Sequence, residues 1–127
     1  NSIEEHQYLT FMLGDEIFGI GALSIKEIIT YGTVTKVPSM SPFVAGITNV
    51  RGNVIPVVSL SHRFGIIPQE ITNKTCIIIV SIVFDQEKID IGLIVDRVDQ
   101  VHDILPLSIL FLLRYLTFAI FRKKRKS

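Results

Sequence analysis

Cysteine is almost missing from this 127-residue chain, which has Cys76 alone. No intramolecular disulfide can form. Cys76 lies inside the apolar run Thr75-Cys76-Ile77-Ile78-Ile79-Val80, so a buried thiol is expected, as suits a cytoplasmic, reducing compartment. Also missing is an N-terminal stretch with the basic, apolar, small-residue order of a secretory leader. The chain opens at Asn1 without a methionine, as a fragment of a longer protein would. Acids are missing from residues 105–127, which carry six bases and a net charge of +6, whereas residues 1–104 carry all 12 acids and seven bases, a net of −5. A composition break near Leu105 follows. The acidic body clusters none of its Lys and Arg, which argues against nucleic acid as a partner, because phosphate binding needs such clusters.

Catalytic spacing is missing as well. There is no Gly-x-Ser-x-Gly elbow, no phosphate-cradling glycine loop, no pair of cysteines and no His-x-x-x-His. His6, His62 and His102 stand alone, and a lone histidine is far more often a surface or satisfied residue than a ligand or base. Asp96 and Asp99 are three apart, so on a strand they would face opposite sides and share neither a proton nor a metal. Asp85 and Asp90 flank a turn, where carboxylates are ordinarily solvated. The expectation is a protein that is not an enzyme, with no catalytic residue, no cofactor and no metal.

What is present is a run of short apolar segments in a length of about one domain, enough to bury roughly two-thirds of the unfolded surface. From Gln7 to Leu13, Tyr8, Thr10 and Met12 oppose Leu9, Phe11 and Leu13, which predicts a strand with one apolar face. Gly14-Asp15 then turns the chain into a returning strand, Glu16 to Ile20. Ala22 to Thr30 fits a helix by the spacing of Leu23, Ile25, Ile28 and Ile29, and equally a strand after one helical turn by its β-branched content. Ser41-Pro42 reads as a cap and first-turn proline, opening a short helix that Gly46 ends. Arg51-Gly52-Asn53 separates two β-rich runs, a second hairpin, in which Pro56 should lie at a sheet edge or a bulge. Thr75 to Phe84 predicts a strand buried on both faces, joined through Asp85-Gln86-Glu87-Lys88 to Ile89–Val95 as a third hairpin. Such spacing indicates an antiparallel all-β sandwich or barrel.

The segment from Gly46 through Asn49-Val50-Arg51-Gly52 to Val54-Ile55-Pro56-Val57-Val58 resembles the signature of CheW-like domains, a chemotaxis adaptor family. Around it, in the family's order, stand Phe11-x-Leu13-Gly14, Phe18-Gly19-Ile20, Ile25-Lys26-Glu27-Ile28, Pro42-Phe43-Val44, Arg63-Phe64-Gly65 and Gly92-Leu93-Ile94-Val95-Asp96. The resemblance implies a CheW-like pair of small five-stranded SH3-like barrels around a shared apolar seam, occupying residues 7–104. It implies a non-enzymatic scaffold in bacterial chemotaxis, coupling the cytoplasmic tip of a chemoreceptor (a methyl-accepting chemotaxis protein) to the regulatory domain of a CheA-type histidine kinase. The same family features would suit a module of a larger signalling protein. Ile25, Val98 and Val101 occupy family positions associated with partner binding, with core packing as the alternative for each. Glu27 and Arg51 match a regular acid and arginine of the family and are expected to pair at the ends of neighbouring strands. Gly46, Gly52 and Gly92 match its structural glycines, where close backbone approach or a bulge is the expected reason.

Two departures from the pattern stand out. Ser59 occupies a position where the family usually has an aspartate. After Ile104 the further strands and final helix of the family are not recognisable, so the fold is expected to be incomplete at its C-terminus. Residues 105–127 read instead as an atypical tail, apolar from Leu105 to Phe121 and then basic from Arg122 to Lys126. Either this is a foreign end, or it is a membrane anchor with positive charge on the cytoplasmic side.

Overall fold

The computed structural model describes residues 7–32, 34–38, 41–102 and 120–123. Strands β1 (Tyr8–Leu13) and β2 (Glu16–Gly21) form the first hairpin, with Gly14 at φ +60° in its two-residue turn. Both faces of β1 are buried, not one, and its edges are taken by β2 and β8. Thr10 is therefore enclosed with its apolar neighbours, and its hydroxyl donates to Asp99 Oδ2 at 3.3 Å. Ala22 to Thr30 takes the second of its two readings: a 3₁₀ turn at Ala22–Ser24, then β3 (Ile25–Thr30), where the β-branched residues fit a pleated surface.

The helix expected after Ser41-Pro42 does not form. Val44 N donates to Ser41 O at 2.9 Å, closing one turn, and β4 (Val44–Val50) begins at once. The reason is competition for the backbone: Phe43 O is taken by Ser59 N at 2.8 Å, and Val44 pairs with Val58 of β5 (Asn53–Ser59). Ser59 ends β5 and caps the four-residue helix α1 (Leu60–Arg63), its hydroxyl accepting from His62 N at 3.3 Å. A serine supplies the N-cap acceptor that an aspartate would supply, which answers the departure at this position.

The third hairpin joins β6 (Cys76–Phe84) to β7 (Glu87–Val95) through two residues, Asp85 at φ +53° and Gln86 at φ +68°. A four-residue connection was expected; the tight turn forms without glycine because both residues adopt the left-handed conformation that right-twisted strands require. After a bend at Asp96 comes β8 (Arg97–His102), and β9 (Ile120–Lys123) follows. The described strands make two sheets, ordered β8-β1-β2-β9 and β3-β6-β7-β5-β4. The fold is all-β; one half is the five-stranded unit expected, and the other has four strands among the described residues. One pairing departs from the antiparallel expectation: β5 runs parallel to β7, from Val57 opposite Gly92 to Ser59 opposite Ile94.

The segment read as a tail enters this fold at one place. Ile120–Lys123 pairs with β2, Ile120 opposite Ile20 and Lys123 opposite Ile17. The rest of the apolar run, residues 105–119, and the end of the basic run, residues 124–127, lie outside the described residues. No described helix is long and apolar enough to cross a membrane.

Side chains on β6 alternate between two cores. Ile78 and Val80, with Leu93 and Val95 of β7, pack against Leu9, Phe11 and Phe18 of the other sheet. Ile77 and Ile79 pack with Ile55 and Val57 on the opposite face. Phe18 stacks between Phe11 (ring centroids 5.9 Å apart) and Phe64 (5.1 Å), tying the first hairpin to the end of α1. Pro56 is not on an edge strand, since β5 lies between β4 and β7. Val50 and Asn53 flank a two-residue turn and exchange hydrogen bonds, so by alternation Pro56 and Ile47 do not. Ile47 spends its N–H and C=O on Thr35 instead, and pairing with β7 starts only at Val57, so no ladder needs the hydrogen Pro56 lacks.

The three glycines singled out by sequence serve different ends. Gly46, at φ +153° beside a bulge in β4, lies under the backbone of Thr35, whose carbonyl oxygen would sit 2.1 Å from an added Cβ. Gly92 leaves room inside the second core, where a Cβ would meet Ile77 Cγ2 at 2.7 Å. Gly52, at φ +86° in a turn, has open space around it. Alanine substitution should therefore cost most melting temperature at Gly46, ahead of Gly92 and of Gly52, where the added Cβ meets only the strain of the left-handed φ. Overpacking costs of about 1–3 kcal/mol apply to Gly92 and set the lower bound for Gly46, where backbone must move. At about 3–6 °C per kcal/mol, thermal unfolding resolves the order, and a Gly46→Ala variant as stable as Gly52→Ala would contradict it.

Candidate functional site

Asn49-Val50-Arg51-Gly52 is a turn with its own internal brace. Asn49 Oδ1 accepts from Gly52 N at 3.0 Å, closing the connection between β4 and β5. The brace holds Arg51 at φ +54°, a left-handed conformation that costs a residue with a Cβ about 1–2 kcal/mol. Arg51 extends from this turn toward β3, where its Nη1 lies 3.3 Å from Glu27 Oε1. The expected pair is present, through a single nitrogen–oxygen contact. Its arginine is 79% exposed and its glutamate 28%, so it contributes at most about 1 kcal/mol. β3 and β4 are the two edges of the five-stranded sheet, and the pair bridges them where no ladder does.

Glu27 is placed by a bulge. Ile25 faces Val80 and Glu27 faces Ile79, two consecutive residues of β6, leaving Lys26 as the extra residue. Lys26 Nζ reaches Asp90 Oδ2 at 2.9 Å, and Ser81 Oγ donates to Asp90 Oδ1 at 2.6 Å. These three residues come from β3, β6 and β7, in that lateral order. The hydrogen bond from Ser81, and then Lys26, hold the Asp90 carboxyl below the usual carboxylate range. Asp90 is thus not the simply solvated turn carboxylate expected from sequence. Lys26, Ser81 and Asp90 share a cleft of about 560 Å³ with Asn53 and Val54 of the Arg51 hairpin.

The apolar candidates divide. Ile25 and Val98 are half-buried and pack against the same core from edge strands β3 and β8. Val101, opposite Leu9 on β8, is 58% exposed, as is Leu23 at 61% just before β3. Ile25, Glu27 and Arg51 therefore belong to the five-stranded sheet, and Val98 and Val101 to the other.

Asp96 and Asp99 do not behave as a regular strand would place them. Asp96 lies in the bend before β8 and accepts from Gly14 N at 2.6 Å, while its own N–H donates to Met12 O. Two residues of β8, Asp99 and Gln100, stand where β1 offers Thr10 alone, and this irregularity breaks the alternation. Both aspartates line one cleft, with Asp15, Glu70, Lys74 and Arg97 also on its walls. Among the described residues no three His, Cys, Asp or Glu are grouped to hold a metal. Cys76 is half-buried, not buried, and donates to Lys74 O at 3.1 Å; burial pushes its thiol pKa up, partly offset by a backbone hydrogen bond from Val98. A thiol shifted that way is a poor nucleophile at neutral pH. His62 sits in α1, and His6 lies outside the described residues.

A family model described as CheW-like domain matches residues 7–111. The chemotaxis protein CheW of Treponema pallidum (strain Nichols) is 31% identical over 98 residues, which are 77% of this chain and 58% of that protein. The chemotaxis protein CheW of Bacillus subtilis (strain 168) is 33% identical over 93 residues, 73% of this chain and 57% of that protein. The chain thus spans less than two thirds of the length of these curated relatives. The crystal structure of the scaffolding protein TtCheW from Thermoanaerobacter tengcongensis superposes with a TM-score of 0.71 at 34% identity, covering 83% of this chain and 69% of that one.

The Asp90 network has a pH signature. Its folded pKa lies below the unfolded value of about 3.9, so its stabilisation is fully present above that value and is lost as pH falls through the folded pKa. Melting temperatures of the wild type and Asp90→Asn should differ near neutral pH and converge as pH falls below about 4. A gap that stays constant down to pH 2 would contradict the assignment.

Proposed function

The chain belongs to the CheW-like domain family, and from that membership we propose that it is a non-enzymatic adaptor of bacterial chemotaxis. It joins the cytoplasmic tip of a chemoreceptor to the regulatory domain of a CheA-type histidine kinase, and it works beside the membrane that carries the receptors. The observation that carries this reading is the Arg51 turn. A strained backbone, braced by Asn49 and Gly52, presents an exposed guanidinium whose ion pair returns little stability. Such an arrangement suits a group kept for contact with another molecule, because a planar guanidinium offers five donors in a fixed fork.

The apolar side chains named by sequence supply the remainder of such a surface. Ile25 and Val98 are half-buried against the core where the two sheets meet, and exposed Leu23 and Val101 lie just before β3 and on β8. A helix laying its apolar face across this junction would meet aliphatic side chains in the centre and the Glu27–Arg51 pair at one side. That is the pattern of an apolar patch with a polar rim that fixes register. The backbone irregularities support a surface role too, since bulges at Lys26 and at Asp99 aim side chains where regular strands would not.

Arg51→Ala should weaken binding to a chemoreceptor cytoplasmic fragment or to the kinase regulatory domain by about tenfold or more, a size typical of a well-placed interface arginine. Its melting temperature should fall by no more than about 3–6 °C, the equivalent of about 1 kcal/mol. Isothermal titration calorimetry beside thermal unfolding separates the two effects. Unchanged affinity for both partners in a folded variant would remove Arg51 from the interface.

A further inference from the structure

Glu27 has two cations within reach of its position in the chain. Arg51 holds it at 3.3 Å, and Lys26 is its covalent neighbour, with a flexible stem and a compact ammonium. In an uninterrupted strand the two side chains would point to opposite faces. The bulge removes that protection, since Lys26 is the unmatched residue between Ile25 and Glu27. What occupies Lys26 instead is Asp90, at 2.9 Å, in a contact shorter than the one Arg51 makes. Asp90 is itself fixed: Ser81, its cross-strand partner on β6, donates to the other carboxylate oxygen at 2.6 Å.

We propose that Asp90 is a positioning residue for the Arg51 hairpin: by engaging the Lys26 ammonium it leaves the Glu27 carboxylate to Arg51. Glu27, Asp90, Lys26 and Arg51 could pair in more than one way, and Lys88 lies close to Asp90 as well. Ser81 selects between the alternatives, because an oriented Asp90 accepts Lys26 on the oxygen that Ser81 leaves open. The cleft shared by Lys26, Asp90 and Asn53 places this selection beside the turn that carries Arg51. Asp90 touches no partner in this arrangement; its effect on binding passes through Lys26, Glu27 and Arg51. The inference rests on the reading of Arg51 as a contact residue only for its functional consequence, not for the pairing itself.

The test uses the full chain, labelled with ¹⁵N, and follows the Arg51 side-chain Nε–Hε resonance, assigned by its loss in Arg51→Lys. Asp90→Asn keeps the size of the side chain and removes its charge. It should move the Arg51 resonance in the same direction as Glu27→Gln, in a protein whose thermal unfolding remains cooperative. In a Lys26→Met background, where the Lys26 ammonium is gone and Lys88 is unchanged, Asp90→Asn should leave the resonance in place, and Lys26→Arg in the native background should preserve it. An Arg51 resonance indifferent to Asp90→Asn, or one that moves equally with and without Lys26, overturns the proposal. A binding arm keeps the two readings apart. Asp90→Asn should weaken affinity for the kinase regulatory domain or the receptor fragment by about threefold to fivefold, and by nothing further once Arg51 is alanine. If the resonance responds as expected while neither Asp90→Asn nor Arg51→Ala alters affinity, the positioning stands and the partner site is elsewhere.

Discussion

Everything in this fold leans on one wall. The β6–β7 hairpin is apolar on both faces, and each face closes a different core. Nine residue pairs run from Cys76 opposite Val95 to Phe84 opposite Glu87 without a break, so the two cores are locked to each other through a single register. A slip of one residue would send Ile77 and Ile79 where Ile78 and Val80 belong, and would exchange the contents of both cores. Little in the apolar run itself forbids that slip, because isoleucine follows isoleucine. The turn at Asp85-Gln86 forbids it, together with Gly92, whose missing side chain fits only opposite Ile79 and beneath Ile77 and Val57.

From that wall the rest of the geometry follows. With register fixed, Ser81 stands opposite Asp90 in the half of the hairpin nearer its turn. β3 adds to the free edge of β6, and β5 adds in parallel to β7, so the strands bearing Glu27 and Arg51 end on opposite margins of one sheet. The two ion pairs are what bridge from β3 to the other strands at this end: Lys26 across β6 to β7, and Glu27 to the β4–β5 turn. Between β3 and the β4–β5 turn, where no ladder runs, the Glu27–Arg51 pair supplies by side-chain charge what backbone hydrogen bonds do not.

Much of this was legible from residue order, and the limits are physical. Glycine marks two of the hairpins, at Gly14 and at Gly52; the first turn is legible as it stands, and the second is one residue shorter than Arg51-Gly52-Asn53 because Asn53 pairs with Val50. The third was placed correctly but given a connection two residues too long, since nothing in Asp85-Gln86 advertises a left-handed turn as glycine would. That error hides the Ser81–Asp90 pair, because a longer connection shifts every partner along β6. The Glu27–Arg51 pair was legible from the family pattern, whereas Lys26–Asp90 was not, for a bulge leaves no mark in composition. The helix expected at Ser41-Pro42 failed because cap signals are local while Phe43 and Val44 are claimed by β5, distant in sequence. Pro56 misled for a related reason: its permitted place depends on which side of β5 the neighbouring ladder begins. The strand at Ile120–Lys123 was lost within an apolar run that carries no turn signal to frame it.

The energetics of the Arg51 turn point away from stability as its purpose. A left-handed arginine costs about as much as an exposed ion pair returns, and the brace from Asn49 would hold the turn equally well with asparagine or glycine at position 51. Either replacement would relieve the backbone, asparagine by tolerating that conformation and glycine by having no Cβ at all. A chain shaped for stability alone would gain by the exchange, because the sheet already has its register from the β6–β7 wall and β4 is met on its outer side by Thr35. What would vanish is an exposed planar cation set at a fixed height above β3, with its direction constrained by Glu27. The structure holds that cation at an energetic cost in the part of the molecule where the cores ask nothing of it.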